Sequence, residues 1–210
     1  MLDNLDLLTQ LAPVLNVQLL LDGLFVGAVF VLAAYGLALV WGVMNVKNLA
    51  QGEYVIMGGY FTWHLGTFGI HPVLSLPIVF GLMFVFGWVV YLLVIKWVIT
   101  RDLFTSLLAT FGIALVVQQA LNLAYGPEVR TADAGFGTSR LFDGLVTVAD
   151  IKLISFGLCV LLAASVIVFM KKSRMGQAIR ATAQDPRAAK IMGIDTERVY
   201  AFTYALTAAL

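Results

Sequence analysis

Cysteine occurs once in the 210 residues, at Cys159, so no disulfide can close within the chain and no cysteine-based metal cluster can form. Its place in the apolar run Leu153 to Met170 reads as a small core or lipid-facing residue. Histidine occurs only as His64 and His71, with no acid or cysteine beside them to complete a metal set. Both read as membrane-interface residues. Charge is scarce: 12% of residues are Asp, Glu, Lys or Arg, half the roughly 25% of a soluble domain. The formal net charge of +1 and the lack of interleaved basic and aromatic residues exclude a nucleic-acid binding field. No HExxH, no GxSxG and no paired carboxylates at membrane depth are present, which argues against an intramembrane enzyme. A GxxxxGK[ST] loop is also missing, so the chain has no ordinary cradle for ATP phosphates and no cofactor of its own is expected.

What fills the chain is apolar: 61% hydrophobic residues and a mean hydropathy of +0.95. A bilayer core of ~30 Å takes about 20 apolar residues in helical form. Gly23 to Met44, Pro72 to Ile95, Leu103 to Ala124 and Leu153 to Met170 approach or exceed that length. Tyr54 to Ile70 is shorter, spanning about 25 Å at 1.5 Å per residue. Its Gly58, Gly59, Gly66 and Gly69 weaken helix further. It is expected to be short or broken, and to sit beside protein or a water-filled path and not against lipid. The N-terminal MLDNLDLLTQLAPVLN carries acids and no basic residue, the wrong flank for a cleaved signal peptide, so the first run is read as a retained span. From Val199 to Leu210 a further span begins; twelve residues reach about 18 Å, so the sequence reads as stopping inside a helix, a truncated or partial chain. The expectation is an all-α, polytopic helical membrane protein, one transmembrane domain over 1–210 with five spans and the start of a sixth.

Loop charges orient it. Asp3, Asp6 and Asp22 precede the first run without a Lys or Arg; Lys47 follows it; Lys96 and Arg101 follow the third. Between Tyr125 and Asp150, Arg130 and Arg140 face Glu128, Asp133, Asp143 and Asp150. From 171 to 198 come Lys171, Lys172, Arg174, Arg180, Arg187, Lys190 and Arg198. Basic residues dominate every second connection, which puts 171–198 in the cytoplasm and the N-terminus and the 125–150 loop outside.

Within the spans, Gly23 and Gly27, then Ala34, Ala38 and Gly42, recur at fourth positions that permit close helix contact. Ser106, Thr110, Ala114, Gln118 and Asn122 form a polar and small ridge that suits either interhelical hydrogen bonds or a translocation path. Asn48 and Glu53 either line a cytoplasmic exit or satisfy the free amides of the second helix. With Gln51, Thr110, Gln118 and Asn122 they form the candidate pathway set.

The stretch RATAQDPRAAKIMGI, Arg180 to Ile194, stands apart. Met175 to Ala183 permits helix; Asp185 is a good N-cap with Pro186 as first helical residue. Gly193 suits a left-handed C-terminal cap, and Asp195 can cap the helix that re-enters the membrane. The result is a compact elbow with Ala188 and Ala189 as small faces and Ile191 and Met192 as knobs. A solvated basic loop needs neither two caps nor apolar knobs, so docking into a groove of a partner protein is the better reading.

GQAIRATAQDPRAAKIMGI resembles the cytoplasmic coupling segment of ABC-importer permeases for branched-chain amino acids, the LivH type. The shared residues are Gly176, Arg180, Ala181, Gln184, Asp185, Pro186, Ala188, Ala189, Met192, Gly193 and Ile194. Upstream, Asn48 to Glu53 followed by Met57 to Tyr60 is similar to the family's Asn-Phe-Ala-His-Gly-Glu segment and Met-Gly-Ala-Tyr helix start. Leu49 replaces Phe and Gln51 replaces His, so no role tied to that histidine carries over. LLATFGIALVVQQ, Leu107 to Gln119, is like the family's LIATIGLSLILQ. The resemblance covers nearly the whole chain in order, with the family's C-terminal spans absent.

It implies an inner-membrane permease subunit paired with a second, LivM-like permease, two ATP-binding cassette subunits and a periplasmic substrate-binding protein. It also implies an ATPase-coupling role for Gly176, Arg180, Ala181, Asp185, Pro186, Ala188, Ala189, Met192 and Gly193. A urea or short-amide permease of the same superfamily is the nearest rival, and neighbouring genes would separate the two. A secondary transporter is the rival from another class. It would show an intramembrane ionisable coupling site, whereas Asp22, Glu53 and the histidines all fall at predicted span ends.

The topology is directly testable. A cysteine introduced at Gly137 is expected to react with an impermeant maleimide on intact cells, and one at Gln177 only after permeabilisation. The opposite pattern inverts the orientation.

Overall fold

The structure, a computed structural model, describes residues 2–128, 130–131, 135, 137–141 and 146–210. In chain order it contains α1 (Leu2–Met44), α2 (Gln51–Thr67), α3 (Pro72–Val90), a π-helical turn (Tyr91–Ile95), α4 (Lys96–Val98) and α5 (Leu103–Tyr125). Strands β1 (Thr138–Leu141) and β2 (Val146–Ala149) follow, then α6 (Asp150–Lys172), α7 (Arg174–Gln184), α8 (Pro186–Ile191) and α9 (Thr196–Ala209). Among the described residues, four helical stretches are long and apolar enough to cross a membrane: 16–44, 72–98, 103–125 and 150–172. The fold is that of a polytopic helical membrane protein. Of the five expected spans, the second falls short of that length at 17 residues.

The chain divides into two compact units, 1–32 with 133–164 and 33–132 with 165–210. In the first, Asp22 Oδ1 accepts from Lys152 Nζ at 2.6 Å. Phe25 meets Phe156 edge-on at 5.7 Å, and Val148 of β2 is buried beside Phe25. β1 and β2 pair antiparallel, Thr138 opposite Ala149, so the expected 125–150 loop contains a hairpin and its last residue already starts α6. Asp133 and Asp143, counted there for orientation, lie outside the described residues. Gly23 and Gly27 do not make the expected close contact. A Cβ at either would meet nothing within 4 Å, and both line an apolar cleft of about 350 Å³ with Phe156 and Cys159.

The second unit holds the main core. Here the glycine of α1 that does permit close approach is Gly36. A Cβ there would lie 3.1 Å from Thr207 Cγ2 and 3.2 Å from Gln51 Nε2. Ala34, Ala38 and Gly42 are exposed instead. In the 33–44 portion of α1 that belongs to this unit the buried positions are 36, 40, 43 and 44, the 3–4 spacing of one helical face.

Helix α2 is short and unbroken, the first of the two expected alternatives. Gly58, Gly59 and Gly66 each cost about 1 kcal/mol of helix propensity, but Gln51, Tyr54 and Met57 are buried and the helix packs on α3, α5 and α9. Packing outweighs propensity. Gly69, at φ +81, ends it: its N–H bonds Gly66 O and the Ile70 N–H reaches back to Leu65 O, a Schellman cap. Val55 and Ile56 on the other face are exposed.

Helices α3 and α9 pack closely. A Cβ on Gly87 would stand 2.6 Å from Ala208 Cβ and 2.9 Å from Ala205 Cα. The π-helical turn then inserts one residue into α3 and turns Tyr91 and Ile95 into the core, both buried. Past it, Lys96 Nζ reaches Glu197 Oε2 on the first turn of α9 at 2.8 Å. Asp102 caps α5 by accepting from the Thr105 N–H at 3.2 Å, and the hydroxyl and amide of Thr105 hold its carboxyl below the usual carboxylate range.

Since the atoms a Gly87 side chain would meet include backbone, α3 and α9 must separate to admit one. Gly87→Val is expected to destabilise the folded full-length protein by about 1–3 kcal/mol, the range for overpacking. Thermal unfolding in detergent reads this; an unchanged midpoint would mean the two helices have slack.

Candidate functional site

Two groups of predicted residues lie in the second unit. The first is the segment from Ser173 to Asp195. Ser173 opens α7 by accepting from the Gly176 N–H at 2.8 Å. Gly176 sits where α6 turns into α7: a Cβ there would lie 2.6 Å from Met170 Cα and from the Phe169 and Met170 carbonyl oxygens. Gly176, Ile179 and Thr182 are the buried face of α7, while Gln177 and Arg180 are exposed and Ala181 is half-buried.

The corner follows the expected chemistry. Asp185 leaves helical geometry at φ −152 and ψ 105, and its Oδ1 accepts from the amides of Arg187 at 2.8 Å and Ala188 at 3.1 Å. Pro186 is the first residue of α8. At the other end Gly193 has φ +83; its N–H bonds Lys190 O at 3.1 Å and the Ile194 N–H bonds Ala189 O at 3.0 Å. This is again a Schellman cap, which satisfies the last carbonyls of the short helix. Asp195 then caps α9 through the Arg198 N–H at 3.1 Å.

One face differs from the expectation. Ala189 is 4% exposed, because it is the residue whose carbonyl closes the cap and it turns toward α7 and α9, on which α8 packs. Its small side chain lets α8 lie down; it presents no face. Ala188 is exposed, and Ile191 and Met192 are 86% and 81% exposed. The bare surface of the elbow is therefore Ala188, Ile191 and Met192.

The second group is the candidate pathway set, which the structure splits. Asn48, Gln51 and Thr110 come together in a buried polar cluster. The Thr110 hydroxyl donates to a carbonyl, Lys47 O lying nearest at 2.9 Å, and accepts from the Leu49 N–H at 3.3 Å. It thereby clamps the non-helical 45–50 segment, whose Asn45 has φ 53, onto α5. Asn48 Oδ1 accepts from the Ala50 N–H at 3.2 Å and the Tyr204 hydroxyl at 3.4 Å, and its Nδ2 donates to Gln51 Oε1 at 3.3 Å. Gln51 Nε2 donates to Thr207 O at 3.1 Å. The hydroxyls of Tyr54 and Tyr204 are 2.8 Å apart. The polar ridge on α5 is thus buried at Ser106 and Thr110 and exposed at Gln118 and Asn122, about 12 Å further along at 1.5 Å per residue. Glu53 is half-buried in the first turn of α2.

Tyr54, Thr203, Tyr204 and Thr207 were missed by sequence reasoning. Their signal is the polar periodicity of Thr203, Tyr204 and Thr207 in a segment otherwise suited to lipid. As a group, the cluster can hold the 45–50 segment rigidly between α1, α2, α5 and α9. Among the described residues no group of three or more His, Cys, Asp or Glu is placed to hold a metal ion.

Residues 19–210 match the family described as branched-chain amino acid transport system, permease component. The chain is similar to the "probable branched-chain amino acid transport permease protein LivH" of Methanocaldococcus jannaschii, 33% identical over 93% of this chain and 64% of that protein. It is similar to the high-affinity branched-chain amino acid transport system permease protein LivH of Escherichia coli K12, 26% identical over 92% of this chain and 67% of that one. The corresponding protein BraD of Pseudomonas aeruginosa is also 26% identical, with the same coverage of both chains. The chain spans 64–67% of the length of these relatives. No solved structure matches it.

Removing the Thr110 hydroxyl strands the partly buried Leu49 amide and Lys47 carbonyl. Thr110→Val is expected to lower the stability of the folded protein by about 1–3 kcal/mol, with Thr110→Ser close to wild type. Thermal unfolding of the three proteins in the same detergent makes the comparison; equal midpoints would remove the clamp.

Proposed function

The chain belongs to the branched-chain amino acid transport system permease family, and from that premise we propose that it forms part of the translocation pathway of an ABC importer for branched-chain or other small amino acids. Relatives named for branched-chain amino acid transport support an amino-acid substrate over urea. In this reading the chain is a multi-pass subunit of a bacterial inner membrane, with its N-terminus and hairpin on the periplasmic side. It pairs with a second, LivM-like permease. A periplasmic binding protein delivers substrate, and two ATP-binding cassette subunits below supply the energy; ATP is bound and hydrolysed on them, not on this chain.

The observation that carries the coupling role is the pair Ile191 and Met192, bare at the end of a six-residue helix capped at both ends. Large apolar side chains held this rigidly in front of a basic surface suit insertion into a groove of an ATPase subunit. Motion delivered to α8 would pass to α9 through the Gly193–Asp195 corner. From α9 it would pass to α3, because the Gly87 contact and the Lys96–Glu197 pair bind the two helices. The pair would then move as one body, the rigid-element transmission expected of alternating access. Gly176 serves the same end by pinning α7 under α6. Gln118, Asn122 and Glu53, polar and not fully buried, are the residues of the candidate set left to face the pathway or the second permease.

The test uses the full-length permease with its partners. Ile191→Asp combined with Met192→Asp is expected to cut recovery of co-purifying ATPase subunits by roughly tenfold, about 1.4 kcal/mol, with the membrane subunits still monodisperse. Gly193→Val should act in the same direction, because a β-branched residue tolerates the left-handed conformation poorly. Undiminished assembly with normal substrate-stimulated ATP hydrolysis in both variants would reduce the elbow to a connecting loop.

A further inference from the structure

At the opposite end of α2 from the buried cluster, the second unit carries a cleft of about 470 Å³, within the range of small-molecule sites. Ile56, Gly59, Tyr60 and Trp63 form its wall, and Glu128 and Arg130, just beyond the end of α5, form its rim. A Cβ on Gly59 would meet nothing within 4 Å, so the wall is recessed there. Tyr60 stacks on Tyr125 at 4.7 Å, and Trp63 meets the same ring edge-on at 6.0 Å, so the aromatic wall is fixed by α5. The Arg130 guanidinium lies over the Trp63 ring at 5.0 Å, and its Nη2 is 3.2 Å from Glu128 Oε2.

The geometry points to an entry site for a free zwitterionic α-amino acid with an apolar side chain, a reading that rests on the amino-acid importer proposed above. Such a ligand carries a carboxylate and an ammonium on neighbouring atoms and a hydrocarbon arm beside them. The cleft offers the complement: a guanidinium fork for the carboxylate, a carboxylate for the ammonium, and an aromatic and aliphatic wall for the arm. Arg130 and Glu128 are held together by an exposed ion pair, with side chains 37% and 75% exposed. Pairs of that kind are worth little in water, so a ligand that offers each partner its opposite charge replaces the bond at small cost. The stack on Trp63 keeps the guanidinium in place while the exchange occurs. Urea has no charge to satisfy either partner. The loop charges put this cleft on the outer side, where a binding protein would release its substrate.

The experiment uses the complete importer with full-length permease, in nanodiscs without binding protein, and tritiated leucine as probe. Wild type is expected to bind leucine, with unlabelled leucine competing and leucinamide, 4-methylpentanoate and urea each at least tenfold poorer. Arg130→Gln and Glu128→Gln, both at the exposed rim and assembled with the ATPase subunits in normal amounts, are expected to lose leucine binding at least tenfold. A wild type that binds no leucine, or variants that bind it as wild type does, overturns the site. Variants that keep leucine binding but lose association with the binding protein also overturn it, and make the rim a protein-docking contact. Parallel uptake of leucine and urea into proteoliposomes separates this from the importer reading. Leucine transport by wild type without leucine binding at the cleft rejects the site alone, whereas urea transport without leucine transport rejects the importer reading.

Discussion

Between Met44 and Gln51 the backbone leaves helical geometry while Val46, Asn48 and Ala50 are buried. Buried peptide groups without partners are expensive, and more so where lipid replaces water. Side chains supply what a helix would have supplied. Thr110 takes the groups of Lys47 and Leu49, and Asn48 takes the Ala50 amide and the Tyr204 hydroxyl. Gln51 passes the chain of bonds to Thr207. Because those partners belong to α5 and α9, satisfying this one segment fixes where α2 begins and how both helices stand against it.

The same helix α9 is held on its other side by Gly87 of α3. It also receives the elbow, since α7 and α8 pack on it and Asp195 starts it directly after the Gly193 cap. A single element thus meets the buried polar cluster, the close contact with α3 and the segment proposed to dock an ATPase. A small shift of α8 has few places to be absorbed: both caps of the short helix are closed, and the next interface is close-packed. The elbow and the α3–α9 pair are therefore packed as one assembly, on which Ile191 and Met192 are exposed.

Local chemistry was legible in the sequence wherever the determining atoms are close along the chain. Asp185, Pro186, Gly193 and Asp195 occupy the capping roles that their residue types dictate, since a cap is decided within about four residues. The long spans were legible for the same reason, through length and composition. Ala189 misled, because the elbow's inward face depends on what α8 packs against. Helix α2 was legible as short; that it stays unbroken despite its glycines was decided by Tyr54 and Met57, which pack into the core. Gly23 and Gly27 have the spacing of a helix contact yet line an open cleft, whereas Gly36, outside that pattern, makes the close approach.

What the sequence by itself determined is a polytopic helical membrane protein with a doubly capped elbow and a family resemblance, all set by hydropathy, loop charge and short-range motif. What only the tertiary structure decided is which polar residues meet. Asn48, Gln51 and Thr110 are brought to Tyr54, Tyr204 and Thr207 from as far as 156 residues away. The fold likewise sets Arg130, from beyond the end of α5, over the Trp63 ring of α2 and beside Glu128. The reason is physical: periodicity states which face a residue is on, but contact depends on the crossing of helices, and that is settled by packing between segments far apart in the chain.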